Sequence, residues 1–133
     1  MIDHVSIGIS DLARSAAFYD RVLATLGVGR LFEAGDHIAY GRRGEPYFII
    51  NPPLDPSRGQ VGRTNGLHIC FTAATAAQVR DFHRVALEQG ATDDGAPGLR
   101  PHYTPTYYAA FVLDPDGHKI EAHCNVPDAS KTD

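Results

Sequence analysis

Alternation opens the chain. His4, Ser6 and Gly8 fall on one parity and Val5, Ile7 and Ile9 on the other, the period of a half-buried strand. The period then changes. Leu12, Ala16, Tyr19, Leu23 and Leu26 recur along one face, which predicts a helix capped by Ser10 or Asp11 and stopped at Gly27. Three short strands are expected next, over residues 28–33, 36–41 and 46–51, with turns at Ala34-Gly35 and Arg42-Arg43-Gly44.

The series then returns. Residues 67–72 read as a strand. Thr75 with Gln78 three positions on reads as a capping box, and Val79, Phe82 and Ala86 mark the buried stripe of a helix reaching Gln89, with Gly90 as its stop. A short strand is expected near Ala91-Thr92, and stronger ones over 107–113 and 119–124. His4 precedes Phe18 by 14 positions and His68 precedes Phe82 by 14; His4 precedes Gly27 by 23 and His68 precedes Gly90 by 22. One strand–helix–strand–strand–strand unit is used twice. Neither half can cover both faces of its own sheet. The expected class is therefore α+β, with two βαβββ modules forming a curved, mostly antiparallel sheet around a central cavity and the helices outside. A single domain is expected over 1–127: a first module at 1–51, a Pro/Gly-rich linker at 52–64 and a second module at 65–127, followed by a polar tail at 128–133.

Composition narrows the partners. The net charge is −4 with scattered signs and no Lys/Arg cluster, which argues against nucleic acid. No apolar run approaches a membrane span, and no basic-then-apolar leader opens the chain, so a cytoplasmic protein is expected. Cys70 shares the parity of His68, while Cys124 opposes that of Glu121. Two buried, reduced thiols are expected rather than a disulfide.

The candidate chemistry lies on three strands. His4 and His68 occupy matching places in the repeat. On the last strand Ile120, Ala122 and Cys124 alternate with Lys119, Glu121 and His123. If the apolar set packs under a helix, Glu121 faces the cavity, where an unpaired carboxylate is costly. Two imidazoles and one carboxylate can hold a divalent ion and leave positions open for a substrate.

Asp114-Pro115-Asp116-Gly117-His118-Lys119-Ile120-Glu121 resembles the D-P-D-G-x-x-[IL]-E signature of the vicinal oxygen chelate superfamily, which includes glyoxalases, extradiol dioxygenases, fosfomycin-resistance proteins and bleomycin-binding proteins. The opening His4-Val5-Ser6-Ile7-Gly8-Ile9 with Asp11-Leu12, Ser15 and Phe18-Tyr19, and the second opening Asn65-Gly66-Leu67-His68-Ile69, are similar to its module starts. The resemblance implies paired βαβββ modules, metal ligation by His4, His68 and Glu121, and homodimers, sometimes with a cavity shared between chains. Glyoxalase I takes a fourth ligand from the last strand of its first module. Here that segment is Tyr47-Phe48-Ile49-Ile50-Asn51, and Ile50 or a neighbour stands at the position.

The expected activity is that of a metal-dependent enzyme on a small molecule that chelates Mn, Fe, Ni or Zn through adjacent oxygens. It is not that of a typical glyoxalase I. A metal-free small-molecule or drug-binding protein is the alternative. Glu121 and Tyr108 are the catalytic candidates. Arg100, His102 and Tyr103, on a Gly/Pro-punctuated segment over 95–106, could meet substrate. Tyr107 or Tyr108, according to parity, could donate to a substrate oxygen, and His123 could line the cavity end or carry a proton. Ser6 and Asn51 are further polar candidates, whereas His37, His83 and His118 read as surface residues.

Overall fold

The computed structural model describes residues 1–62 and 65–128; the last two linker positions and 129–133 of the expected tail lie outside the described residues. The elements follow the expected order. They are β1 (His4–Gly8), α1 (Leu12–Ala24), β2 (Arg30–Ala34), β3 (His37–Tyr40), β4 (Tyr47–Asn51), β5 (His68–Thr72), α2 (Ala76–Glu88), β6 (Thr92–Leu99), β7 (Tyr107–Leu113) and β8 (Lys119–Asn125). They form two four-stranded sheets, β1-β4-β3-β2 and β5-β8-β7-β6. In each, the first strand of the unit runs parallel to the last and the other pairings are antiparallel.

The caps explain the helix starts. The Asp11 carboxylate accepts from Arg14 N at 3.1 Å, leaving Ser10 for another task. Thr75 Oγ1 accepts from Gln78 N at 3.1 Å, and the Gln78 side chain reaches back to Ala74 N at 2.7 Å, one residue before the position a capping box serves. The apolar stripes of both helices and the inner faces of both sheets merge into one core. Phe18, Tyr19 and Val22 meet Ile7, Phe48 and Ile50 in the first module, and Val79 and Phe82 meet Ala110, Val112, Ile120 and Ala122 in the second.

The strand expected near Ala91-Thr92 runs on to Leu99, so the expected loop contracts to 100–106. Asp93, Asp94, Gly95, Pro97 and Gly98 disguise it, being poor strand formers. They are tolerated because β6 is an edge strand with two irregularities in its pairing. Gly95 has φ +155°, and a Cβ there would lie 3.0 Å from the Phe111 ring and 3.1 Å from the Arg100 guanidinium.

The turn at 114–118 clasps the modules together. Buried Asp114 accepts from Tyr19 OH at 2.6 Å and from Asp116 N and His118 N at 2.9 Å. Asp116 accepts from Ser10 N at 3.1 Å and from Arg14 at 3.2 Å. His118, expected at the surface, is half-buried and donates from Nε2 to Gly8 O at 2.7 Å. Burial, and then the Asp114 charge, push the Tyr19 phenol well above its ordinary pKa, so it remains a donor. Tyr19→Phe leaves a buried carboxylate oxygen without its donor. The expected loss is about 1–3 kcal/mol, read as a lower denaturant midpoint with an unchanged m-value.

Candidate functional site

Strand parity sorts the side chains of β8. Ile120, Ala122 and Cys124 enter the core, and Glu121 turns to the opposite face. The β5–β8 register pairs Cys70 with Glu121 and His68 with Lys119. His68 leans two residues along, so that Nε2 lies 3.0 Å from Glu121 Oε1. Tyr107 OH donates to the other carboxylate oxygen, Oε2, at 2.5 Å. The Tyr107 ring stacks on His123 with centroids 3.6 Å apart and 16° between planes. Phe111, the register partner of Glu121 on β7, forms the floor beside His68.

Glu121 is only 2% exposed, while the His68 side chain is 44% exposed. The carboxylate is therefore sunk into the sheet and the imidazole stands at its open edge. Burial, and then the hydrogen bond to Glu121, raise the Tyr107 pKa, so the phenol keeps its proton. Cys70 is exposed as a residue, not buried as expected. Its thiol is nonetheless crowded locally, and that crowding, with the Glu121 charge and a hydrogen bond to it, pushes its pKa up to about 12.

The internal repeat extends to the register. His4 pairs with Tyr47, Ser6 with Ile49 and Gly8 with Asn51, as His68 pairs with Lys119, Cys70 with Glu121 and Thr72 with His123. Ile49, rather than Ile50, is thus the counterpart of Glu121, and it carries no donor atom. His4 matches His68 in exposure, with 44% of its side chain open. Its Nδ1 lies 2.7 Å from Asp3 Oδ2, and its ring stacks on Tyr47 at 5.0 Å. Both neighbours belong to its own module. Among the described residues, no three His, Cys, Asp or Glu side chains gather around one point. The structure joins His68 to Glu121 and leaves His4 on the other sheet, so the expected three-way meeting does not occur within one chain. The physical reason is the clasp at 114–118, which holds the helix-covered sides of the modules together. A cavity of about 370 Å³ lies between the modules, lined among others by Val5, Tyr47, Phe48, Ile69, Cys70 and Phe71, and neither His4, His68 nor Glu121 borders it.

The remaining candidates divide. Tyr108 packs on the core side, where its hydroxyl meets Arg80 on α2 at 3.4 Å. This corrects its catalytic assignment, because the parity that gives Tyr107 to Glu121 sends Tyr108 to the helix. Arg100 lies over Phe111, with 5.4 Å from its guanidinium carbon to the ring centre. Its terminal nitrogens donate to Gly98 O at 2.9 Å and Ala96 O at 2.8 Å. His102 packs on Tyr103 and Tyr103 packs edge-on against Tyr107, which ties the loop to the site. His123 Nδ1 and its repeat counterpart Asn51 Oδ1 are both buried without a hydrogen-bond partner. Sequence reasoning missed Asp3, although it carries a signal, a carboxylate next to a candidate ligand, whereas Phe111 is expected as part of an aromatic lining and stands beside His68.

Two repeated modules, each opened by a strand that begins with a histidine, define the class. A family model described as Glyoxalase/Bleomycin resistance protein/Dioxygenase superfamily matches residues 1–122, and the chain belongs to that superfamily. The metallothiol transferase FosB of Shouchella clausii is 27% identical over 122 residues, 92% of this chain and 78% of the relative. Its namesake from Staphylococcus saprophyticus is 27% identical over 127 residues, 92% and 75%. A glyoxalase/bleomycin resistance protein from Albidiferax ferrireducens superposes with TM-score 0.82 at 34% identity, covering 92% of this chain and 98% of that one. No helix among the described residues is long and apolar enough to cross a membrane.

Proposed function

We propose that the chain is a metal-dependent enzyme acting on a small molecule with two adjacent oxygens, and that its centre forms between two copies. His68 and Glu121 of one copy and His4 of the other would hold the ion. The carrying observation is the His68–Glu121 pair, with a buried carboxylate oxygen 3.0 Å from an exposed imidazole nitrogen. The donor types suit Mn, Fe, Ni or Zn. Asp3 on Nδ1 of His4 leaves Nε2 free, the arrangement usual for a ligating histidine. The matched exposure of the two histidines supports a face-to-face homodimer, since each open face supplies what the other lacks.

When bound, the ion would supply Lewis acidity to the substrate oxygens. The chain's own residues do the rest. Glu121 and His68 fix the reacting centre, Phe111 with Arg100 above it forms an apolar wall, and Tyr103 and His102 stand at the rim. Ile49 at the fourth position favours a three-ligand centre over that of glyoxalase I. Among lyase or isomerase chemistry, thiol transfer and dioxygenation, the relatives' name brings thiol transfer forward. Both cysteines are free, which suits the cytoplasm.

The alternative is a metal-free small-molecule binder, favoured by one observation: His68, Glu121 and Tyr107 already satisfy one another. Metal content decides. Protein purified without chelator is expected to carry, or to take up from Mn²⁺ or Zn²⁺, about one ion per chain. His68→Ala protein is expected to take up far less. No uptake of any of the four metals would favour the binder.

A further inference from the structure

Beside the Cys70 thiol, two side chains take one oxygen each of the Glu121 carboxylate. His68 Nε2 lies on Oε1 at 3.0 Å, and the Tyr107 hydroxyl donates to Oε2 at 2.5 Å. The two contacts differ in kind. His68 reaches the acid from an open edge, and its nitrogen is itself a candidate ligand. Tyr107 approaches from within the sheet and donates a hydrogen bond.

The Tyr107 ring is also fixed more firmly than a surface tyrosine. His123 covers one face at 3.6 Å, almost parallel, and Tyr103 meets the ring edge-on at 5.0 Å and 87°. His102 packs on Tyr103 at 4.4 Å. The backbone is pinned as well, since Arg100 N donates to Tyr107 O at 2.7 Å. An aromatic column therefore runs from the 100–106 loop to the carboxylate, and its last member ends on one oxygen atom.

We propose that Tyr107 is the positioning residue of the Glu121 carboxylate: it holds Oε2 and so presents Oε1 alone beside His68 Nε2. This rests on the metal-centre reading above and assigns Tyr107 a task other than meeting substrate. A carboxylate with one oxygen withdrawn offers an ion a single point of attachment and keeps more of the coordination sphere open to substrate. A freed carboxylate can turn and attach through both oxygens.

Tyr107→Phe keeps the ring and its stack and removes only the hydroxyl. The test uses metal-freed full-length protein and Co²⁺, followed by calorimetry and by the visible absorption of the bound ion. Tyr107→Phe is expected to change Co²⁺ affinity by about tenfold or more and to change the shape and intensity of the Co²⁺ bands, because the second oxygen is released. Wild-type affinity with a wild-type spectrum would overturn the proposal. If Tyr107→Phe does not fold, His123→Leu carries the test. It leaves the hydroxyl but removes the stack, a shifted Co²⁺ spectrum is expected, and an unchanged one would overturn the proposal. Glu121→Gln separates the layers. Loss of Co²⁺ binding in Glu121→Gln with no change in Tyr107→Phe overturns the role of Tyr107 and keeps the metal centre. Undiminished binding in Glu121→Gln overturns both.

Discussion

Wild-type protein is expected to melt substantially higher in the presence of its ion, and Glu121→Gln is expected to lose nearly all of that rise. An ion that binds only the folded state stabilises it by mass action, by about 2.7 kcal/mol when present at about 100 times its Kd. For a chain of this size that is a shift of roughly 10 °C. Gln keeps the shape of the buried side chain and can still meet Tyr107, so the metal-free protein is expected to lose only about 1 kcal/mol. The two effects are thus separable by scanning both proteins with and without Mn²⁺ or Zn²⁺. His68→Ala is expected to resemble Glu121→Gln in the presence of ion. A wild-type protein whose melting no ion shifts would point to the metal-free binder.

Much of this site is legible in the chain because strand parity is a strong constraint. One residue of slippage would bury Lys119, Glu121 and His123 under α2, so the apolar set Ile120, Ala122 and Cys124 fixes which way Glu121 points. The same reasoning gives His4 and His68 equivalent places. It falters where two tyrosines are adjacent. Tyr107 and Tyr108 are both plausible wall residues, and only the pairing of β7 with β8 tells which one shares the face of Glu121. It also falters at β6, where Gly95, Pro97 and Gly98 read as a loop because their fitness for an edge strand depends on Phe111 and Arg100 packing against bare backbone.

The larger difference is tertiary. The repeat says that each module has one face for a helix and one left open, but not how the modules sit together. That is set by the links from Asp114 to Tyr19, Asp116 to Ser10 and Arg14, and His118 to Gly8, all across about 100 residues of chain. Local periodicity carries no information at that range. With the modules clasped in this way, the proposed centre would need His4 from a second copy.

Complementation tests that claim most directly. His4→Ala and Glu121→Gln each spoil every centre in their own homodimer, because each centre would draw on both copies. If the two inactive proteins are mixed and allowed to exchange subunits, half of the dimers should be mixed by chance. In a mixed dimer one centre carries both substitutions and the other carries neither. About a quarter of the wild-type high-affinity metal sites should then be recovered, with no recovery in either protein alone. A mixture that exchanges subunits fully yet regains no site, or a wild-type protein that binds its ion through His4, His68 and Glu121 as a monomer, would contradict the shared centre.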